Sequence, residues 1–218
     1  MKYILYAFSF AFLLSACGEP KEPVRRVKIE TPMGNMVLEL SNLTPQHRDN
    51  FIKLVEDGFY DGLLFHRVIT NFMIQGGDPD SKDAPAGTML GMGGPGYTIP
   101  AEIVPELIHQ KGALAAARLG DGQNPQKASS GSQFYLVHGQ PVATEMLGQL
   151  EAQRGYQYTE EQRQIYATTP GTPFLDREYT VFGQVVEGLD VIDKIAAVQK
   201  GAADRPLEDV WMKLSVIK

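Results

Sequence analysis

Glycine and proline cut this chain into short β-favouring runs, and that punctuation restricts its fold more than any other feature. Eight such runs occupy residues 24–31, 36–40, 64–69, 72–75, 112–118, 133–138, 181–186 and 210–217. Val, Ile, Phe, Tyr and Thr suit a pleated, half-buried surface, and the Gly and Pro between them stop each run before it lengthens. Pro32-Met33-Gly34-Asn35 joins the first two as a hairpin. Helical spacing interrupts the rhythm at residues 44–57, where Thr44 serves as N-cap, Pro45 opens the helix and Gly58 ends it. Phe51, Leu54 and Val55 share one face there. A second helical stretch spans 189–199, with Val191, Ile192, Ile195 and Ala196 on its apolar side. This pattern predicts a mainly β fold, a closed antiparallel barrel with capping helices.

Residues 139–173 break the strand rhythm. They hold two polar helical patterns, one opening at Thr144 and one at Thr159, where Thr159-Glu160-Glu161-Gln162 matches a capping box. The expected organisation is a domain over 27–218 that carries 139–173 as a helical insertion in a surface loop. A compact domain tolerates such an insertion because the entropy of closing a loop rises slowly with its length.

The first residues read as an address. Lys2 is followed by an apolar run from Tyr3 to Leu14, too short for a permanent membrane span but suited to a signal-peptide core. It ends in Leu14-Ser15-Ala16-Cys17, and Cys17 is the chain's only cysteine. The stretch resembles a bacterial lipoprotein signal. That resemblance implies a signal peptide over 1–16, lipidation at Cys17, a tether over 17–26 and acyl-chain anchoring in the cell envelope. Gly18 follows the cysteine where some inner-membrane lipoproteins carry aspartate, so the expected location is the outer membrane, facing the periplasm. The formal charge of −6 argues against nucleic acid as a partner and against attachment through a polybasic patch.

The densest chemistry lies in Phe65-His66-Arg67-Val68-Ile69 and Phe72-Met73-Ile74-Gln75-Gly76-Gly77-Asp78. An arginine among apolar strand residues is costly unless its guanidinium faces a polar task. Alternation puts Arg67 and Ile69 on one face, and Met73 and Gln75 on one face after the bend, while the Gly76-Gly77 pair permits an abrupt turn or a close approach. His66 falls on the side opposite Arg67 and is expected to be structural.

Three stretches, FHRVITNFMIQGGDP at 65–79, SGSQFYL at 130–136 and FLDREYTVFGQVVEG at 174–188, resemble in order and in register the core motifs of the cyclophilins. The resemblance implies an eight-stranded barrel with two helices and peptidyl-prolyl cis/trans isomerase activity on proline-containing segments. By position, Arg67 matches the catalytic arginine and Gln75 the glutamine that holds it. Phe72, Met73, Tyr135 and Leu175 match the wall that receives proline. Ala117 and Gln133 fall where the preceding residue is contacted. Phe174 stands for a usual tryptophan, Tyr179 for a histidine, Tyr135 for a phenylalanine and Arg118 for an asparagine. The expected function is assisted folding of exported proteins by a monomer, the alternative being a proline-segment binding or chaperone module with little turnover.

Other signals lead elsewhere only weakly. Gly91-Met92-Gly93-Gly94-Pro95-Gly96 fits a dinucleotide fingerprint, but Pro95 and Pro100 obstruct the helix such a site needs, so a loop is expected. The four histidines lack metal-ligand spacing, and Ser129-Ser130-Gly131-Ser132 lacks a nucleophile elbow and any base signalled in sequence. Neither cofactor nor metal is expected.

Overall fold

The computed structural model describes residues 23–217. Strands β1 (Arg25–Thr31) and β2 (Gly34–Leu40) form the hairpin, turning through Pro32 and Met33 with Gly34 at φ +129°. The Thr31 hydroxyl accepts from the Met33 amide and donates to the Gly34 carbonyl, which fixes the turn. Helix α1 (Pro45–Glu56) leads to β3 (Arg67–Ile69) and β4 (Met73–Gly76). After the two-residue β5 (Thr98–Ile99) come β6 (Ala113–Ala116), the short β7 (Ser129–Ser130) and β8 (Phe134–Val137). Helices α2 (Thr144–Arg154) and α3 (Glu160–Thr168) fill the insertion, and β9 (Val181–Glu187), α4 (Leu189–Ala196) and β10 (Lys213–Ile217) complete the chain.

Eight strands form one antiparallel sheet in the order β10-β1-β2-β9-β6-β8-β4-β3, and β5 and β7 pair separately. The sheet is an open half-barrel, so the expected closed barrel is corrected: β3 and β10 stand at its edges with no ladder between them. Segments 62–65 and 210–212 cross the gap instead, through the single bridge Leu64–Trp211 and three backbone hydrogen bonds of 2.8–2.9 Å. Gly62, at φ +81°, takes the chain out of extended geometry there, and β3 and β10 begin later than their apolar runs suggest.

Helices α1 and α4 cap the main core. Val27, Ile29, Met36 and Leu38 of the hairpin pack with Phe51 of α1 and Ile192 and Ile195 of α4. The Phe134 ring is met edge-on by Phe51 at 5.5 Å and Tyr60 at 5.6 Å. Thr44 precedes α1 as expected, but its buried hydroxyl has no partner among the described residues, so no side-chain cap forms. Thr159 does close its capping box with Gln162 at the start of α3.

Two smaller apolar clusters sit outside the main core. One gathers Met73, Ala113, Ala115, Tyr135, Val137 and Val181, with Phe72, Leu175 and Tyr179 half-buried at its fringe. The other holds Leu147, Leu150, Tyr158 and Tyr166 of the insertion with Ile108. No described helix is long and apolar enough to cross a membrane. Cys17 and the expected signal segment lie outside the described residues.

Candidate active site

Arg67 is the direct cross-strand partner of Gln75, and Ile69 that of Met73, in the β3–β4 ladder. Residues paired this way share a face of the sheet, so Arg67, Ile69, Met73 and Gln75 all lie on one side. The turn after β4 depends on Gly77, at φ +86°, because a Cβ there would come within 2.3 Å of the Ser132 carbonyl oxygen. Strand β8 lies on the other side of β4, with Gln75 opposite Tyr135. One short stretch of sheet thus carries the polar pair and the aromatic floor together.

Arg67 Nη1 donates to Gln75 Oε1 at 3.4 Å, and Gln75 Nε2 donates to Gln133 Oε1 at 3.0 Å. Gln133 Nε2 in turn donates to the carbonyls of Gly91 and Gly93 at 3.0 and 2.7 Å. Each amide uses its oxygen toward the arginine side and its nitrogen toward the loop, so the guanidinium is oriented by a chain with one sense. Asp204 is the acid nearest to Arg67, at 4.0 Å, and both side chains are close to half exposed (43% and 49%). A pair so long and so wet is heavily screened and leaves the guanidinium available.

The guanidinium stands beside a cavity of about 670 Å³ walled by Phe72, Met73, Ala117, Tyr135, Leu175 and Tyr179. Eight of the ten expected substrate-site residues, Arg67, Gln75 and these six, border this one hollow. Gln133 does not: it lines an adjoining hollow of about 810 Å³, which shares Gln75, Gly91, Ala117 and Arg118 with the first. Phe174 lies in the wall of neither and instead stacks on Phe72 at the rim, centroids 5.8 Å apart and 39% exposed. His66, expected on the far side, also borders the cavity, because residues 64–66 precede the regular ladder of β3. Its ring nitrogens have no hydrogen-bond partner among the described residues, and burial holds its pKa below the usual 6.5.

The family model described as "Cyclophilin type peptidyl-prolyl cis-trans isomerase/CLD" matches residues 26–216. The chain belongs to the cyclophilins. A protein of Staphylococcus saprophyticus that carries the peptidyl-prolyl cis-trans isomerase name is 39% identical over 186 residues, covering 84% of this chain and 86% of its own. A Streptococcus pyogenes protein named for both phosphatase and peptidyl-prolyl cis-trans isomerase functions is 40% identical over 191 residues, covering 85% of this chain but 37% of its own. Among solved structures, a Cryptosporidium parvum cyclophilin superposes with a TM-score of 0.64 at 23% identity, covering 90% of this chain and 99% of its own. The same Cryptosporidium protein, crystallised in the presence of the dipeptide Ala-Pro, gives 0.63 over 88% of this chain and 99% of its own. This cyclophilin is a peptidyl-prolyl cis-trans isomerase.

Sequence reasoning missed what holds the unusual residues of this cyclophilin in place. Arg118 is almost wholly buried along its side chain; it donates to the Glu178 and Leu119 carbonyls at 3.0 and 2.9 Å and to Asp121 at 2.6 Å. Tyr135 donates its hydroxyl to a buried histidine, His109, at 3.0 Å. Burial, with Tyr179 and Asp176 close by, pushes that hydroxyl's pKa well above its usual range, so it stays protonated. The Tyr135–His109 and Arg118–Glu178 contacts join residues 26 and 60 positions apart, and no local motif announces them.

One arrangement looks like a hydrolase triad and is not placed to act as one. His47 Nε2 lies 2.9 Å from Ser129 Oγ, and its Nδ1 lies 2.6 Å from Glu102. The base that the sequence did not signal is therefore present. Ser129 and His47 are each only 2% exposed and border neither cavity, so no substrate reaches them. They tie α1 to β7. The G-x-G-x-x-G stretch forms a loop, as expected, and walls the second hollow.

Proposed function

We propose that this cyclophilin isomerises X–Pro bonds of exported polypeptides in the cell envelope and so assists their folding, anchored through lipid on Cys17 in the outer membrane and facing the periplasm. Arg67 is the catalytic group of this reading, Gln75 orients it, and the apolar cup of Phe72, Met73, Tyr135 and Leu175 grips the proline ring. Ala117, Gln133 and Tyr179 border the neighbouring residues of the peptide, and Phe174 closes the rim over Phe72.

The observation that carries the reading is the Arg67 guanidinium, aimed by Gln75 at the edge of an open apolar hollow and held by no close ion pair among the described residues. An X–Pro bond resists rotation because amide resonance gives its C–N bond double-bond character, with a barrier of ~18–20 kcal/mol. In the twisted state that resonance is lost and the imide nitrogen regains a localised lone pair. A guanidinium donor directed at that nitrogen favours the twisted state over either planar one, which is the condition for acceleration. Lowering the barrier by ~7–8 kcal/mol corresponds to roughly 10⁵–10⁶-fold. Uncatalysed isomerisation takes ~10–100 s, slow enough to limit folding in the envelope.

The test is refolding of an exported protein whose slow phase is proline-limited. The full chain should shorten that phase catalytically; a slow phase unchanged by it would sink the folding role.

A further inference from the structure

The insertion is wired to the floor of the proline cup by an unbroken line of buried hydrogen bonds, and isomerisation itself does not require one. Tyr135, on the cup floor, bonds through its hydroxyl to His109 Nε2 at 3.0 Å. His109 has no exposure at all, and its Nδ1 lies 2.8 Å from Asp176 Oδ1, which also accepts the His109 backbone amide at 2.7 Å. The other carboxylate oxygen, Oδ2, accepts from the hydroxyls of Tyr166 at 2.6 Å and Tyr158 at 2.9 Å.

Donation converges on Asp176 from both ends of the line. With the His109 tautomer that carries its proton on Nδ1, the Tyr135 hydroxyl donates to Nε2 and Nδ1 donates to Asp176, while both insertion tyrosines donate to the same carboxylate from the other side. Asp176 thus gathers three donors and a fourth, Tyr158, whose proton is shared with the Pro173 carbonyl at 3.1 Å, enough to satisfy a buried charge without a cation. The insertion is held at two further places. Its stem closes through paired backbone hydrogen bonds between Gln140 and Gly171, and Arg154 of α2 donates to the Phe174 and Asp176 carbonyls at 2.8 and 3.2 Å.

A phenylalanine at position 135 would keep the ring contacts to His109 and Tyr179 but would lose the hydrogen bond that ties its far end. A tyrosine pinned at its far end cannot tip. We propose that Asp176 and His109, with Tyr166 and Tyr158 of the insertion, act as a positioning relay that fixes the Tyr135 ring and so sets how tightly the cup holds proline. None of these four residues touches the substrate. They act through Tyr135, and the insertion is thereby part of the isomerase site. This inference rests on the cup being the isomerase site.

The relay makes a specific kinetic demand. Loosening the floor weakens the grip on the proline ring equally in the planar and twisted states, so KM rises while kcat holds. Tyr166→Phe in the full chain should raise KM for an X–Pro peptide about 3–10-fold and leave kcat within about 2-fold. Tyr135→Phe cuts the same line at its other end and should do likewise. Because both remove one connection, Tyr135→Phe/Tyr166→Phe should show the KM of Tyr135→Phe alone, within about 2-fold.

A purely structural Tyr166 would lower the unfolding midpoint in both backgrounds without this dependence of KM on Tyr135. Tyr158→Phe supports the same cycle should Tyr166→Phe fail to fold. Wild-type turnover is measured first: its absence defeats the isomerase reading and takes the relay with it. Turnover with an unmoved KM in the insertion variants, or with KM effects that multiply, overturns the relay alone.

Discussion

The Arg118 guanidinium lies over the Tyr179 ring, its Cζ 4.4 Å from the ring centroid, so two positions that depart from the usual cyclophilin residues are in contact with each other. Tyr179 in turn meets Tyr135 edge-on, with centroids 5.9 Å apart. Three of the departures, Arg118, Tyr179 and Tyr135, form a connected wall on one side of the cup rather than isolated substitutions.

That contact makes the pair energetically coupled. Arg118→Asn should cost ~1–3 kcal/mol, because it removes a desolvated cation–π contact and several charge-assisted hydrogen bonds. With Tyr179→His added, the double-mutant cycle in urea unfolding should return a coupling of ~0.5–2 kcal/mol. Strict additivity would mean that the stacked geometry contributes nothing.

Phe174 carries no indole N–H, and its ring sits on Phe72 at the mouth of the cup. The cyclic-peptide inhibitor of the family should therefore bind this protein weakly, and Phe174→Trp should tighten inhibition up to about 10-fold, the worth of one net hydrogen bond. Inhibition titrations of both forms check this. Nanomolar inhibition of the wild type contradicts it.

Acid should destabilise the fold. Burial holds the pKa values of His47, His66 and His138 below the ordinary 6.5, because an imidazolium is poorly solvated at each site. As pH falls through 6.5 the unfolded chain takes up these protons first, which favours unfolding. Their contribution is fully present above that pH and is lost as pH falls through the lowered native values. The urea midpoint should be lower at pH 5.5 than at pH 7.5, and the reverse order would show that these histidines are more easily protonated in the native state.

Lipid attachment is a separate question with a direct readout. A labelled fatty acid fed to cells should mark the wild type and leave Cys17→Ser unmarked, with the variant moving out of the membrane fraction. Labelling that survives in Cys17→Ser rules the anchor out.

The sequence disclosed what depends on neighbours along the chain. The hairpin at 32–35, the capping box at Thr159 and the shared faces of Arg67 with Ile69 and of Met73 with Gln75 all follow from local turn chemistry or alternation, and each is present. What escaped depends on distant parts of the chain. The sheet stays open because segments 62–65 and 210–212 meet through one bridge and a few hydrogen bonds rather than a ladder, which the apolar runs at 64–69 and 210–217 conceal. Phe174 falls outside the cup because its ring lies over Phe72, a contact between residues 102 positions apart. His109 looked like one of four unremarkable histidines until the fold brought Asp176 and Tyr135 to its two nitrogens.

In the proposed mechanism the Arg67 guanidinium acts on a proline nitrogen in the twisted state, and exchange spectroscopy on an X–Pro peptide with wild type and Arg67→Ala tests this most directly. The predicted result is a ~10²–10³-fold loss in kcat/KM, the size seen when one preorganised donor is removed, with the fold intact. Near wild-type exchange rates in a folded Arg67→Ala protein would contradict it.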